Sequence, residues 1–379
     1  MKNFSFIILL TAVFKLLLKL LFQSKVINRV ALIGVLLLLA LPAQALIISG
    51  LYDHELPVQS QSEAERLSAY REALAAVIVK VTGTETALDT ALVQRAIRDA
   101  QSYVREVSYR TVSTPQPNTS LISIRFDPAL VDSLLADAGV TVWDKNRPSI
   151  LLWLSVQGLD GRREVLAADS EHPIIDLLQE YSRERGIPIL IPLMDFEDRR
   201  NLPTDVAWSL DEDAIRKASA RYGPDSILSG RVLNSPSGDF IGLWQFLFRD
   251  NAQVFDSFEE DLPSYTFGAL DTVAQTLVQH FAIDRSTNAQ TASVRMRIDD
   301  IDSASAHVAL LNYIRDYAVV ESAELALLDG ASLELELKLL GSVFLFTEFL
   351  SLGRDLIPSA QMGTDSDSGQ SILHYQWVR

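Results

Sequence analysis

The sequence predicts a mixed α+β and α/β architecture built from several small units, with a central, partly parallel sheet and a C-terminal ferredoxin-like βαββαβ unit. Three observations lead there. Apolar residues recur at spacings of three and four in some segments and alternate in others, so helices and strands are interleaved. Strand, helix, strand, helix, strand follow one another between Ser149 and Leu233, an order that favours a parallel core with right-handed crossovers. Polar stretches at Asp144 to Pro148 and Ile283 to Thr291 punctuate the chain. With 48% hydrophobic residues in 379, there is material for two or three cores of ordinary size. Cysteine is absent, which excludes disulfide staples, thiolate nucleophiles and cysteine metal sites.

The N-terminal region, residues 1–45, reads as a targeting segment. Lys25 and Arg29 precede the apolar block Val30 to Leu41, and small residues stand at Ala43 and Ala45. That is the pattern of a secretory signal cleaved before Leu46, which places the mature chain in the periplasm. The competing reading is an uncleaved anchor, inner-membrane bound and facing the periplasm, because about 20 uncharged apolar residues suffice to span. The earlier apolar stretch Phe4 to Phe22 is interrupted by Lys15 and Lys19, and translation is expected to start closer to the signal proper. Removing residues 1–45 takes away five basic residues and no acidic one, so the formal charge of -16 becomes -21. Such a surface repels nucleic acid and anionic lipid and leaves basic protein patches or cations open as partners.

Residues 46–143 read as a small α+β domain. Ile47 to Val58 is extended, and a helix from about Ser62 to Lys80 carries Leu67, Tyr70, Leu74, Val77, Ile78 and Val81 on one stripe. Gly83 stops it, in a left-handed conformation. A second helix covers about Ala87 to Asp99. Tyr103 to Ser113 and Ser120 to Phe126 are strands, and Asp127-Pro128 opens a helix ending at Gly139.

Residues 148–283 read as an α/β domain with a parallel core and an added hairpin. Its strands are Ser149 to Val156, Ile187 to Leu193 and Ser226 to Leu233, with helices at about Ile174 to Arg185 and Asp211 to Tyr222. Phe240 to Phe248 and Gln253 to Glu259 form the hairpin, and a helix from about Tyr265 to Phe281 closes the unit. The near-continuous apolar run of Phe240 to Phe248 fits a strand covered on both faces. Residues 292–379 give the ferredoxin-like order, with Leu333, Leu335, Leu337 and Leu339 facing a core and Glu334, Glu336 and Lys338 facing out. The helix around Val343 to Leu350 is apolar around most of its circumference and should be covered on more than one side.

Several blocks together resemble a known family. They are Arg66 and Arg71-Glu72-Ala73-Leu74 with Val81-Thr82-Gly83, Arg147-Pro148 before Leu151-Leu152-Trp153-Leu154, Ile191 to Asp198, and Ala218 to Gly223 running to Ser229-Gly230-Arg231-Val232. In combination they resemble domain of unknown function family 2066. The resemblance implies a secreted protein of the kind found in gamma-proteobacteria. It implies no activity and no catalytic residues.

Complete catalytic constellations are absent from the sequence. His54-Glu55 lacks the second histidine of a zinc-protease helix, and no glycine-rich phosphate loop or nucleophile elbow occurs. The five histidines are scattered, so no metal and no cofactor is assigned. Asp299-Asp300-x-Asp302 reads as helix capping by Asp302, and Asp365 to Gly369 as a polar loop rather than a calcium site. The weak candidates for binding are Asp195, Glu197, Asp198, Arg199 and Arg200, which should emerge from the carboxyl end of the Ile187 to Leu193 strand, where parallel sheets hold ligands. Arg221 and Tyr222 are expected at the other edge. The expected role is a non-catalytic binding or accessory module for other envelope proteins. The alternative is an envelope-polymer hydrolase using the carboxylates of the Asp195 to Asp198 loop, which requires a concave pocket holding two carboxylates about 5 to 10 Å apart.

Overall fold

The chain divides between Ala45 and Leu46, and every described residue lies in the second unit, Leu46–Arg379. The structure, a computed structural model, describes residues 50–111, 120–284, 291–359, 363–364 and 371–378. The signal segment and the Asp365 to Gly369 loop lie outside the described residues. Among the described residues, no helix is long and apolar enough to cross a membrane.

In the first segment, β1 (Asp53–Val58) leads into α1 (Glu63–Thr82). Ser62 caps α1 through its hydroxyl, which accepts from the Glu65 amide, and Gly83 ends it at φ 73°. A 3₁₀ turn and α2 (Ala91–Arg98) follow, then β2 (Val104–Thr111), β3 (Ser120–Phe126), α3 (Pro128–Asp137) and β4 (Val142–Trp143). Asp127 caps α3 with proline at its first position. The antiparallel sheet has the order β1-β3-β2, and α1 lays Ala73, Leu74, Val77, Ile78 and Val81 over Ile122, Ile124 and Phe126. Each fully buried Leu or Ile there contributes about 1.5–3 kcal/mol.

The second segment comprises β5 (Ile150–Gln157), β6 (Arg163–Val165), α4 (Ile174–Arg185), β7 (Ile189–Leu190), α5 (Phe196–Asn201), α6 (Thr204–Ser209), α7 (Glu212–Ser219), β8 (Ser226–Asn234), β9 (Phe240–Phe248), β10 (Asn251–Glu259), α8 (Leu262–Phe281) and β11 (Ala282–Ile283). The sheet runs β10-β9-β8-β5-β6, and β5 is parallel to β8 along its length, from Ile150↔Ser226 to Gln157↔Leu233. Alternation divides β5 between two cores: Leu152 and Leu154 join the cluster with Leu178, Tyr181 and Leu270, whereas Leu151 and Trp153 join Ile215, Ala218 and Leu202. The strand expected over Ile187 to Leu193 is only β7, which meets β5 at Ile150 and Leu151 and then leaves the sheet. In β9 only the half from Trp244 to Phe248 is buried, and Ile241 is exposed.

The third segment holds β12 (Thr291–Asp299), α9 (Ala304–Arg315), β13 (Val320–Asp329), β14 (Ser332–Leu340), α10 (Val343–Leu352), β15 (Leu356–Pro358), β16 (Gly363–Thr364) and β17 (Ser371–Trp377). β14 lies between β12 and β13, the split arrangement expected of a ferredoxin-like unit. After α10 the extra strand β15 reverses the chain, so that β17 runs parallel to β12 rather than against it. Ser303, not Asp302, caps α9: its hydroxyl accepts from the Ala306 amide, and Asp299 instead accepts from Ser332. Leu333, Leu335, Leu337 and Leu339 are buried as their alternation requires, and α10 buries Phe346, Phe349 and Leu350 while Phe344 stays exposed.

The second and third segments share one apolar cluster, in which Phe281 of α8 packs on Phe349 of α10 at 5.6 Å between ring centres. Glu348 adds two polar ties across that seam, to Arg249 at 2.7 Å and to His280 at 2.9 Å. β4 pairs with β11, and Trp143 lies directly beneath Gly83. A Cβ at Gly83 would stand 2.5 Å from Val278 and 2.7 Å from Trp143, in a backbone conformation that costs a side chain about 1–2 kcal/mol. Gly83→Ala is expected to lower the melting temperature by roughly 4–8 °C. An unchanged melt in differential scanning calorimetry would contradict the close approach.

Candidate functional site

The acidic block forms because Met194, buried and at φ 52°, turns the chain after Pro192 and presents Asp195 as the cap of α5. One Asp195 carboxylate oxygen accepts from the amides of Glu197 and Asp198, both at 3.0 Å. Placed there, the acids Asp195, Glu197 and Asp198 complement the positive helix start, and Arg199 and Arg200 complement its end. Arg199 and Arg200 are exposed. The Asp198 side chain is buried, whereas Asp195 and Glu197 remain open to solvent.

Arg221 and Tyr222 complete the block, contrary to their expected place at the other edge. Arg221 grips Asp195 with both terminal nitrogens, at 2.8 and 3.0 Å, and reaches Asp198 at 3.0 Å. The Tyr222 hydroxyl donates to the second Asp198 oxygen at 2.5 Å and accepts from the Leu193 amide at 2.9 Å. Behind it, Trp153 meets the Tyr222 ring edge-on and donates to Ser219. The physical cause of the misplacement is the short β7. Because the chain leaves the sheet after Leu190, the block lies against the end of α7 and not at the carboxyl edge of the parallel strands.

The Arg221 guanidinium holds Asp195 well below the usual carboxylate range, at about 2, and Asp195 in turn raises Arg221. Burial first, then the bond to Asp198, pushes Tyr222 up to about 12. An acid/base group must change protonation near its working pH, and Asp195 does not. The arrangement is a bidentate ion pair with a tyrosine lock, suited to fixing a loop.

The carboxyl ends of β5 and β8 hold a different feature, a cavity of about 400 Å³ with Val156, Val232, Phe240 and Leu262 among its apolar lining. Its polar lining includes Gln157, Asp160, Arg162, Arg163, Glu164 and His172. Arg163 donates to Gln157 at 2.8 Å and stacks over Trp208 of α6 at 4.2 Å. Burial lowers the pKa of His172, and its Nδ1 accepts from the Ile174 amide at 3.3 Å, so the ring is neutral at pH 7. The cationic and anionic side chains balance. The strand-end rule therefore points to this cavity, which the sequence reading missed by extending β7. The turn from Gly158 to Arg163 supplies much of its polar lining.

Among the described residues, no group of three or more His, Asp or Glu is placed to hold a metal. Residues 45–144 match the model of a family described as a domain of unknown function, DUF8605. This is a different family from 2066, and the resemblance to the latter is thereby overturned. The blocks that carried it have generic structural tasks here: Ala73 and Leu74 are core, Gly83 is a helix stop, and Asp195 is a helix cap. No curated protein matches the chain.

The Asp195 carboxylate provides a pH test. Its folded pKa lies below the ordinary value near 4, so its contribution is complete above pH ~4 and is lost as the pH falls through about 2. Asp195→Asn, which keeps the cap, is expected to lower stability above pH ~4 and to flatten the fall between pH ~4 and ~2, where the two curves converge. Urea midpoints across that range that are identical in both proteins would contradict the pairing.

Proposed function

We propose that the chain is an exported, non-catalytic binding module of the cell envelope, an accessory to other envelope proteins in the periplasm. The carrying observation is that Arg221 and Tyr222 occupy the carboxylates of Asp195 and Asp198, so the one acidic block in the central segment that offered acid/base chemistry serves as a loop clasp. The block lines none of the cavities at the sheet ends or along α4 and α8. Export is supported by the basic flank Lys25 and Arg29, the apolar block Val30 to Leu41 and the small residues Ala43 and Ala45. Membrane contact is then limited to an N-terminal segment left uncleaved, and the charge of -16 turns nucleic acid away.

Recognition spreads over a surface, whereas catalysis concentrates in a few groups. Asp195→Asn with Asp198→Asn is expected to lower the melting temperature, because the buried Asp198 loses its charge beside Arg221, and to leave the envelope partners recovered by co-purification unchanged. A folded double variant that keeps those partners and yet reproduces the phenotype of a gene deletion would contradict the binding reading and favour an enzyme.

A further inference from the structure

β10 ends the central sheet, and among the described residues no strand pairs with its outer edge. It runs for nine residues against β9, from Asn251↔Phe248 to Glu259↔Phe240, with no shift in register. Natural sheets blunt such edges with lysine, proline, bulges or short strands, because an unpaired row of amides and carbonyls is a template for another chain. β10, Asn251-Ala252-Gln253-Val254-Phe255-Asp256-Ser257-Phe258-Glu259, has none of these devices.

The faces beside that edge are graded in chemistry. Val254 is 57% exposed and Phe258 60%, and Ile241, directly opposite Phe258 on β9, is 42% exposed. Asp256 lies between Val254 and Phe258 on the same face, and period-two alternation places all three together. On the opposite face, Asn251 and Gln253 line a cavity of about 330 Å³ with Phe246, Phe248, Thr276 and His280. The flank is acidic: Asp250 precedes the strand, and Glu259, Glu260 and Asp261 end it. The nearest cation in sequence, Arg249, is committed to Glu348.

We propose that the β10 edge receives an extended, basic segment of a partner protein as an added antiparallel or parallel strand, and this rests on the binding-module reading. Main-chain hydrogen bonds supply the pairing, and alternate side chains supply the choice of partner. On the face of Val254, Asp256 and Phe258 the segment presents apolar, basic, apolar residues, because cross-strand pairs of like polarity or opposite charge are the favourable ones. On the other face it presents residues small enough for the cavity beside Gln253. A second copy of this chain would bring the same acidic flank and repel itself.

The test is fluorescence anisotropy with the full chain as isolated and a labelled nine-residue peptide in which lysine and valine alternate on one face and threonine fills the other. Binding is expected, at least tenfold weaker in 0.5 M than in 0.05 M salt. Val254→Lys with Phe258→Lys should weaken it at least tenfold with an unchanged circular dichroism spectrum, since both positions are solvent-exposed. A peptide with glutamate in place of lysine should not bind. The assignment is overturned if the peptide fails to bind the unsubstituted protein, if the double variant binds it equally well, or if the unsubstituted protein dimerises and the double variant is monomeric. Envelope partners that co-purify equally with the double variant would also overturn the edge while leaving the module reading intact, and loss of every specific partner from the unsubstituted protein would remove that reading itself.

Discussion

The guanidinium of Arg147 sits in the interior between the first two segments and donates only to backbone carbonyls. Its terminal nitrogens reach Lys80 O at 2.6 Å, Arg185 O at 2.7 Å and Gly186 O at 3.2 Å, and its Nε reaches Asp144 O at 3.0 Å. Lys80 lies in the last turn of α1, and Arg185 ends α4, so one cation satisfies orphan carbonyls of two helices and faces the negative ends of both. Burial pulls Arg147 down to about 9, which keeps it charged at neutral pH. Hydrogen bonds from a charged donor contribute about 1.5–3 kcal/mol each, set against a desolvation penalty of several kcal/mol. The net gain is small, and the cost of losing the cation is large. Gly186, at φ 63°, leaves the room required, since a Cβ there would stand 3.0 Å from the guanidinium.

Around this cation the connecting stretch becomes a junction. Asp144 accepts from its own Asn146 amide at 2.8 Å and from Ala318 in the third segment at 2.6 Å, and Lys145 pairs with Asp316. Trp143 stacks beneath Arg147 at 4.6 Å and fills the space under Gly83. A polar Asp-Lys-Asn-Arg-Pro run reads as solvated connection in one dimension. Its burial depends on carbonyls supplied from residues 80, 185 and 186, and nothing local in the sequence announces them.

The fold was most legible where one element carried its own signal. Ser62 and Gly83 bracket α1, Asp127-Pro128 opens α3, and the alternating leucines of β14 point to one core, because capping and period-two burial are decided within a few residues. Legibility failed where tertiary pairing set the length of an element. Ile187 to Leu193 has the composition of a strand, yet only Ile189 and Leu190 pair, since β6 takes the rest of that edge of β5. From that single error the candidate block was placed at the wrong end of the sheet and Arg221 on the wrong edge. The exposure of Val254 and Phe258 was equally invisible, because a strand's sequence states its alternation and not whether a neighbour covers it.

Replacing Arg147 by methionine tests the clamp most directly, with native-state hydrogen exchange read at the amides of α1, α4 and β5. Loss of the buried cation is expected to lower global stability by about 3–5 kcal/mol, and the last turns of α1 and α4 should lose protection together. Arg147→Lys should recover little of it, because an ammonium cannot fork to carbonyls on two helices. Stability within about 1 kcal/mol of the unsubstituted protein, with α1 and α4 exchanging independently, would contradict the account.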